Sequence, residues 1–237
     1  MPTAHDNDIL GYAINAHYHT NHPTPLIIHN EYGEPDQMDL SVFLREEHEL
    51  TELELYALSM CHGRVLDIGA GAGSLSLILQ NRGLDVTALE ISQPACQVME
   101  ARGVQNIVCH DLFTYQTHAP FDTLLLLMNG IGLPGSIEGL QRMLAHLKTL
   151  ARPGSVILCD STDVAYLYEN DESLKPANRY YGELRYRYQY NGQIGQWTNW
   201  MYIDHLTLKQ VVQGTGWAMQ LVYENEEDYY LARLILE

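Results

Sequence analysis

The 237-residue chain reads as an α/β fold built on a mostly parallel sheet. Three observations predict it. An apolar strand runs straight into a turn of alternate glycines, Arg64-Val65-Leu66-Asp67-Ile68-Gly69-Ala70-Gly71-Ala72-Gly73-Ser74. Short apolar runs then end in acids, and the strand Phe121 to Met128 is continuously apolar from Leu124 on, as a strand buried on both faces requires.

Residues 1–60 lack the strand pattern. Leu40, Phe43, Leu44, Leu50, Leu53, Tyr56, Ala57 and Met60 recur near helical spacing, which predicts one or two amphipathic helices. Upstream, His5, His17, His19, His22 and His29 crowd the first thirty residues. Imidazole is a common metal ligand, but the run His17-Tyr18-His19-Thr20-Asn21-His22 matches neither the Cys-pair zinc motifs nor H-E-x-x-H. A polar loop or cap with scattered histidines is expected, and no metal.

At the glycine turn, positions 69, 71 and 73 carry no Cβ, so a ligand can approach the backbone and φ can turn positive without strain. The helix expected from about Ser74 presents unpaired N–H groups to the same place. A dinucleotide fingerprint would need a third glycine where Ser74 stands. Asp67, at the end of the strand, would repel a pyrophosphate and attract an ammonium or sulfonium group.

Asp67, Gly69, Gly71 and Gly73 fill an acidic-x-Gly-x-Gly-x-Gly pattern. On these residues the chain resembles the class I S-adenosylmethionine (SAM) dependent methyltransferases. The resemblance implies SAM as cofactor and a Rossmann-like sheet of seven mostly parallel strands with an antiparallel last strand. It implies cofactor contacts from Asp67, Gly69, Ala70, Gly71, Gly73, Glu90, Ile91, Asp111, Leu112 and Asn129.

Later segments follow in the expected order. Asp85 to Glu90 reads as the second strand, and its terminal carboxylate can accept hydrogen bonds from both ribose hydroxyls. The ribose of a nicotinamide dinucleotide would suit Glu90 as well, so that alternative stays open. Ser92 caps a helix with Pro94 in its first turn. The third strand, Asn106 to His110, delivers Asp111, where the family places an acid beside the exocyclic amine of adenine. The fourth ends at Asn129-Gly130-Ile131-Gly132, and the fifth, Ser155 to Cys159, ends at Asp160-Ser161-Thr162-Asp163.

A tyrosine-rich insertion follows. Glu183, Arg185, Arg187 and Gln189 alternate with Leu184, Tyr186, Tyr188 and Tyr190, giving a strand with one polar and one aromatic face. Asn191-Gly192 signals a hairpin, and Gln196 to Tyr202 can return as its partner, with Trp197 or Trp200 joining the aromatic face. The hairpin is expected to wall a substrate pocket or to form a contact in a homodimer. A helix over Leu206 to Thr215 and two strands, Ala218 to Tyr223 and Tyr229 to Leu236, close the chain.

The expected organisation is a single domain over 1–237. It comprises a helical lid (1–60), a SAM-binding core (61–163), the inserted hairpin (164–203) and a C-terminal helix with an antiparallel strand pair (204–237). A net charge of −17, with only 13 Lys and Arg, argues against a nucleic-acid partner, even though Arg179, Arg185 and Arg187 interleave with aromatics. No signal peptide or membrane span is read. Cys61, Cys96, Cys109 and Cys159 lie far apart, two of them in expected buried strands, and read as reduced residues of a cytoplasmic protein.

The function implied is methyl transfer to a nitrogen or oxygen of a small molecule. Proximity and orientation carry most of such a reaction, and a base is needed only where the acceptor must lose a proton. Asp160 is the candidate base, with Asn129 as a second catalytic candidate. Asp163 also lies at this strand end. Arg45 and Tyr168 are candidate substrate contacts, Arg45 as a fork for a carboxylate. Ile131-Gly132 replaces the Pro-Pro-aromatic run of the members that methylate adenine or glutamine amides, so amide methylation is disfavoured. A non-enzymatic SAM-binding protein and a protein methyltransferase are the alternatives. The runs at 43–45, 127–132 and 160–163 look like those of a bacterial methyltransferase group.

Overall fold

The computed structural model describes residues 8–20, 24–169 and 171–237. Helix α1 (Ile9–Thr20) is followed by strands β1 (Leu26–Asn30) and β2 (Asp36–Met38). Helix α2 (Glu52–Met60) leads into β3 (Arg64–Ile68), α3 (Ser74–Asn81), β4 (Asp85–Glu90), α4 (Gln93–Arg102) and β5 (Ile107–Cys109). Next come β6 (Phe121–Leu126), α5 (Ile137–Leu150) and β7 (Ala151–Thr162). The chain closes with β8 (Glu183–Tyr190), β9 (Gln193–Ile194), β10 (Thr198–Met201), α6 (His205–Val212), β11 (Trp217–Glu224) and β12 (Tyr229–Leu236).

The main sheet has seven strands in the order β11-β12-β7-β6-β3-β4-β5. Strand β4 runs parallel to β5, and β6 to β7, whereas β12 is antiparallel to both β7 and β11. This is the expected α/β sheet with its antiparallel last strand. Leu124, Leu125, Leu126, Ile157 and Leu158 are fully buried, which explains the unbroken apolar runs of β6 and β7. The β12 ladder continues from Val156 to Thr162, so β7 runs past Cys159 and includes Asp160.

Two compact units are present, one of residues 1–51, 66–115 and 185–198, the other of 52–65, 116–184 and 199–237. In the first, the expectation of a purely helical segment over 1–60 needs correcting. Strands β1 and β2 lie within it, and β1 pairs antiparallel with β2 and with the inserted strand β8, from Ile27↔Gln189 to Asn30↔Tyr186. A second sheet results, in the order β10-β8-β1-β2 with β9 on β8. Five residues of Leu-Ile-Ile-His-Asn give no usable periodicity, and their partner is far along the chain, so pairing rather than local propensity decides this strand.

His17 and His19 lie in the last turn of α1, not in a polar loop; His5 and His22 fall outside the described residues. Asp8 accepts the Gly11 N–H at 2.9 Å at the start of this helix. Ile9, Ala13 and Ile14 then pack with Leu26, Leu40, Ala72, Val98 and Tyr190. The hairpin turn forms as expected, with Asn191 and Gly192 both at positive φ (47° and 78°). Cys109, expected in a buried strand, is exposed at the end of β5.

In the second unit α5, capped by Ser136, and α6, capped by Asp204, supply apolar faces for the core. Helix α2 supplies the expected amphipathic turn within 40–60, preceded in the first unit by two short 3₁₀ turns. No described helix is long and apolar enough to cross a membrane.

Gly73 and Gly83 isolate packing from backbone strain, since both sit at positive φ (79° and 85°). A Cβ on Gly73 would meet Val104 Cγ2 at 2.8 Å and Met99 Cγ at 2.9 Å, whereas one on Gly83 would meet nothing within 4 Å. Gly83→Ala is expected to cost about 1 kcal/mol and Gly73→Ala about 2 kcal/mol or more in urea denaturation. Equal losses would show that the space around Gly73 does not matter.

Candidate active site

The glycine turn lies in the first unit and is held from β4. Gly69, Gly71 and Gly73 all take positive φ (72°, 56° and 79°), a conformation that a Cβ would oppose. The Leu89 carbonyl accepts the Gly69 and Ala70 N–H groups at 2.8 and 3.2 Å. Glu90 adds a bridge: one carboxylate oxygen accepts the Gly71 N–H at 2.8 Å and the other the Ser92 N–H at 2.9 Å. Each oxygen keeps a lone pair for a further donor. Desolvation raises the Glu90 pKa, and the hydrogen bonds from Ser92 and Gly71 oppose that rise.

Asp67 behaves differently from the acid beside a ligand that the sequence suggests. It is 3% exposed and accepts the Ser76 hydroxyl of α3 at 2.6 Å. Burial pushes its pKa up to about 6, with the Glu90 charge adding to the rise. Asp111 is exposed and caps a short 3₁₀ turn by accepting the Phe113 N–H at 2.9 Å. Ile91 is 69% exposed, while Leu112 is buried.

One organising residue carried no sequence signal. Arg102, the last residue of α4, donates to the carbonyls of Ala72 (2.7 Å), Phe43 (3.3 Å) and Leu44 (3.3 Å) and to the Ser74 hydroxyl (3.0 Å). Ser74 in turn donates to the Phe43 carbonyl at 2.8 Å. Arginine's planar fork suits this multiple contact, and it fastens the Phe43-Leu44 turn to the glycine loop. Arg45, the candidate clamp in that turn, donates its Nε–H to the Val42 carbonyl at 2.9 Å. Among the described residues no group of three His, Cys, Asp or Glu side chains is placed to hold a metal ion.

The second unit carries the other candidates. Met128 and Asn129, just beyond β6, are consecutive left-handed residues (φ 59° and 58°). Asn tolerates this conformation, whereas Met does so at a cost of about 1–2 kcal/mol. Asp160, 6% exposed, accepts the Asn129 N–H at 2.8 Å and so fixes the strained pair. Burial raises the Asp160 pKa to about 7, opposed by that hydrogen bond and reinforced by buried Glu54. The Asn129 side-chain oxygen is itself buried and has no hydrogen-bond partner among the described residues. A Cβ on Gly132 would stand 2.0 Å from the Met201 carbonyl, which explains the glycine after Ile131.

Tyr168 is buried, and its hydroxyl donates to the Tyr181 carbonyl at 2.8 Å. The Tyr181 hydroxyl donates to Asp163 at 2.6 Å, and the Tyr180 hydroxyl to Asp204 at 2.7 Å. Burial pushes both phenols well above the usual tyrosine range. These tyrosines thus form a hydrogen-bonded cluster around two carboxylates.

Sheet order and glycine turn together define an enzyme of the class I SAM-dependent methyltransferase fold. A family model for the methyltransferase domain matches residues 43–222, and the chain belongs to that family. It is similar to a SAM-dependent methyltransferase from Bacteroides fragilis, solved in complex with S-adenosyl-L-homocysteine: 34% identity and a TM-score of 0.90, covering 100% of this chain and 98% of that one. An uncharacterized methyltransferase of Staphylococcus carnosus is 23% identical over 187 residues, which cover 78% of this chain and 83% of that protein. The CcbJ methyltransferase from Streptomyces caelestis shares the fold at 14% identity and a TM-score of 0.58, covering 78% and 87% of the two chains.

SAM, not a nicotinamide dinucleotide, is therefore the cofactor. The residues present fit it. A Cβ at Gly71 would touch only the Phe43 ring, at 3.5 Å, so the loop backbone is otherwise open. Glu90 and Asp111 offer carboxylate acceptors to hydroxyl and amine donors.

The buried acid under the loop makes stability depend on pH. Between about pH 4 and 6 the folded chain keeps a proton on Asp67 that the unfolded chain has lost, so this group's contribution falls as pH rises through that window. Asp67→Asn removes the titration. The stability difference between variant and wild type should therefore grow in the variant's favour from pH 4 to pH 6, and a difference that stays flat over that window would refute the assignment.

Proposed function

We propose that the enzyme methylates a nitrogen or oxygen atom of a small molecule, and that Asp160 is its general base. The observation that carries the reading is a buried carboxyl with a pKa of about 7, fastened to a strained Met128-Asn129 turn. Backbone strain and shifted pKa values cluster at functional sites, and here both fall within the same few residues. The charge of −17 favours a small acceptor over nucleic acid.

Gly69, Ala70, Gly71, Gly73, Glu90, Ile91, Asp111 and Leu112 would hold SAM, with Asp67 supporting the loop through Ser76. When bound, SAM supplies a methyl group already activated by a positive sulfur. The chain's own task is then to orient the acceptor and remove its proton. Asp160 takes that proton, and the unpartnered Asn129 oxygen accepts a hydrogen bond from the acceptor's N–H or O–H. Arg45 offers a guanidinium to an acidic group, and Tyr168 sets the position of Tyr181.

Asp160→Asn tests this directly, because the amide oxygen can still accept the Asn129 N–H. With labelled SAM and a metabolite extract, wild type is expected to give labelled small products at a rate that rises with pH and levels off above about pH 7. The variant should bind S-adenosylhomocysteine normally but turn over at least about a hundredfold more slowly. Unchanged turnover would remove Asp160 as the base, and label confined to macromolecules would favour a protein acceptor.

A further inference from the structure

Strand β8 and its neighbours leave two arginines unused by the fold. Arg185 and Arg187 alternate along one face of β8 in the first unit, and their guanidinium carbons stand 5.6 and 4.8 Å from the centroid of the Trp197 ring. Of Trp197 and Trp200, either of which could join the aromatic face of the hairpin, Trp197 sits with the arginines, 39% exposed. Neither guanidinium has a hydrogen-bond acceptor or an acidic partner among the described residues, and the Arg187 Nε is sealed from solvent. In a chain with 30 acids and 13 Lys and Arg, two cations gathered on one indole without a carboxylate are an unusual arrangement.

The surroundings add no counter-charge. His29 lies directly opposite Arg187 across the β1–β8 ladder, and its Nε2 is 2.7 Å from the Gln189 Oε1. Gln189 Oε1 accepts there, so the ring N–H of His29 is already spent within the sheet. Residues 27–30, paired along β8, include no acid. Glu183, two residues before Arg185 on the same strand, is engaged by the Ile137 N–H at 2.8 Å. Two guanidinium groups with no acceptor among the described residues offer several N–H donors, and a planar oxyanion can accept two of them at once.

We infer that the face formed by Arg185, Arg187 and Trp197 binds a small-molecule oxyanion, a carboxylate or a phosphate. Charge complementarity selects a small anion over a cation, while the apolar indole edge beside the two arginines accommodates the carbon skeleton attached to it.

Calorimetric titration of the full chain with inorganic phosphate, and separately with malonate, tests the site and tells the two anions apart. Wild type should bind at least one with a Kd of about 1 mM or tighter. Arg187→Gln and Arg185→Gln should each weaken that binding by about tenfold or more, while Lys209→Gln, a surface change on α6, should leave it intact. Arg185 is exposed, so its variant stays informative if Arg187→Gln fails to fold. No binding of either anion, or equal binding in all three variants, would overturn the site. Titration of the same samples with S-adenosylhomocysteine keeps the two claims separate. Lost cofactor binding with intact anion binding would count against the methyltransferase reading, not against the anion site.

Discussion

The Glu90 carboxylate is the contact on which the glycine loop depends. A loop that takes positive φ at three alternate residues has surrendered side-chain packing, so its position must come from backbone hydrogen bonds. The end of β4 provides them, through the Leu89 carbonyl and the two Glu90 oxygens. The same few residues start α4, because Ser92 donates its N–H to Glu90, accepts the Ala95 N–H as the helix cap, and donates its hydroxyl to Asp8 at 2.7 Å. Loop, helix and N-terminal helix are thus referred to one strand end. Arg102 repeats the device from the other end of α4, where it ties the loop to the Phe43-Leu44 turn.

Buried acids in this enzyme divide by what they hold. Asp67 and Asp160 are both desolvated and raised, yet one braces a helix hydroxyl and the other a strained backbone amide. Asp163 and Asp204, which are only half-buried, accept phenol hydroxyls instead. Each carboxylate has a hydrogen-bond partner, as burial demands. Among the described residues the exceptions to such pairing are the Asn129 oxygen, the His146 Nε2 and the Arg187 Nε, groups to which the structure gives no internal use.

What was legible in the sequence was local or obligatory. Gly69, Gly71 and Gly73 announce positive φ because little else adopts it cheaply, and Ser92 with Pro94 announces a helix start by capping chemistry. The parallel core strands announce themselves by continuous apolarity. Strands β1 and β2 were not visible, since a five-residue and a three-residue strand gain their stability from partners across the chain. Arg102 looked like any arginine at a helix end, and the sharing of Trp197 by two arginines follows from where the hairpin turns, which alternation alone does not fix. Asp160 reads as lying just beyond the fifth strand; its place inside β7 depends on how far β12 continues the ladder.

The central claim is that Glu90 holds the glycine loop in the form that binds SAM. Calorimetry with SAM on wild type and on Glu90→Ala tests it most directly, because removing the carboxylate takes away both backbone contacts and the acceptor offered to the cofactor. The account predicts binding to wild type and at least about tenfold weaker binding to the variant. Equal affinity in the two proteins would contradict it.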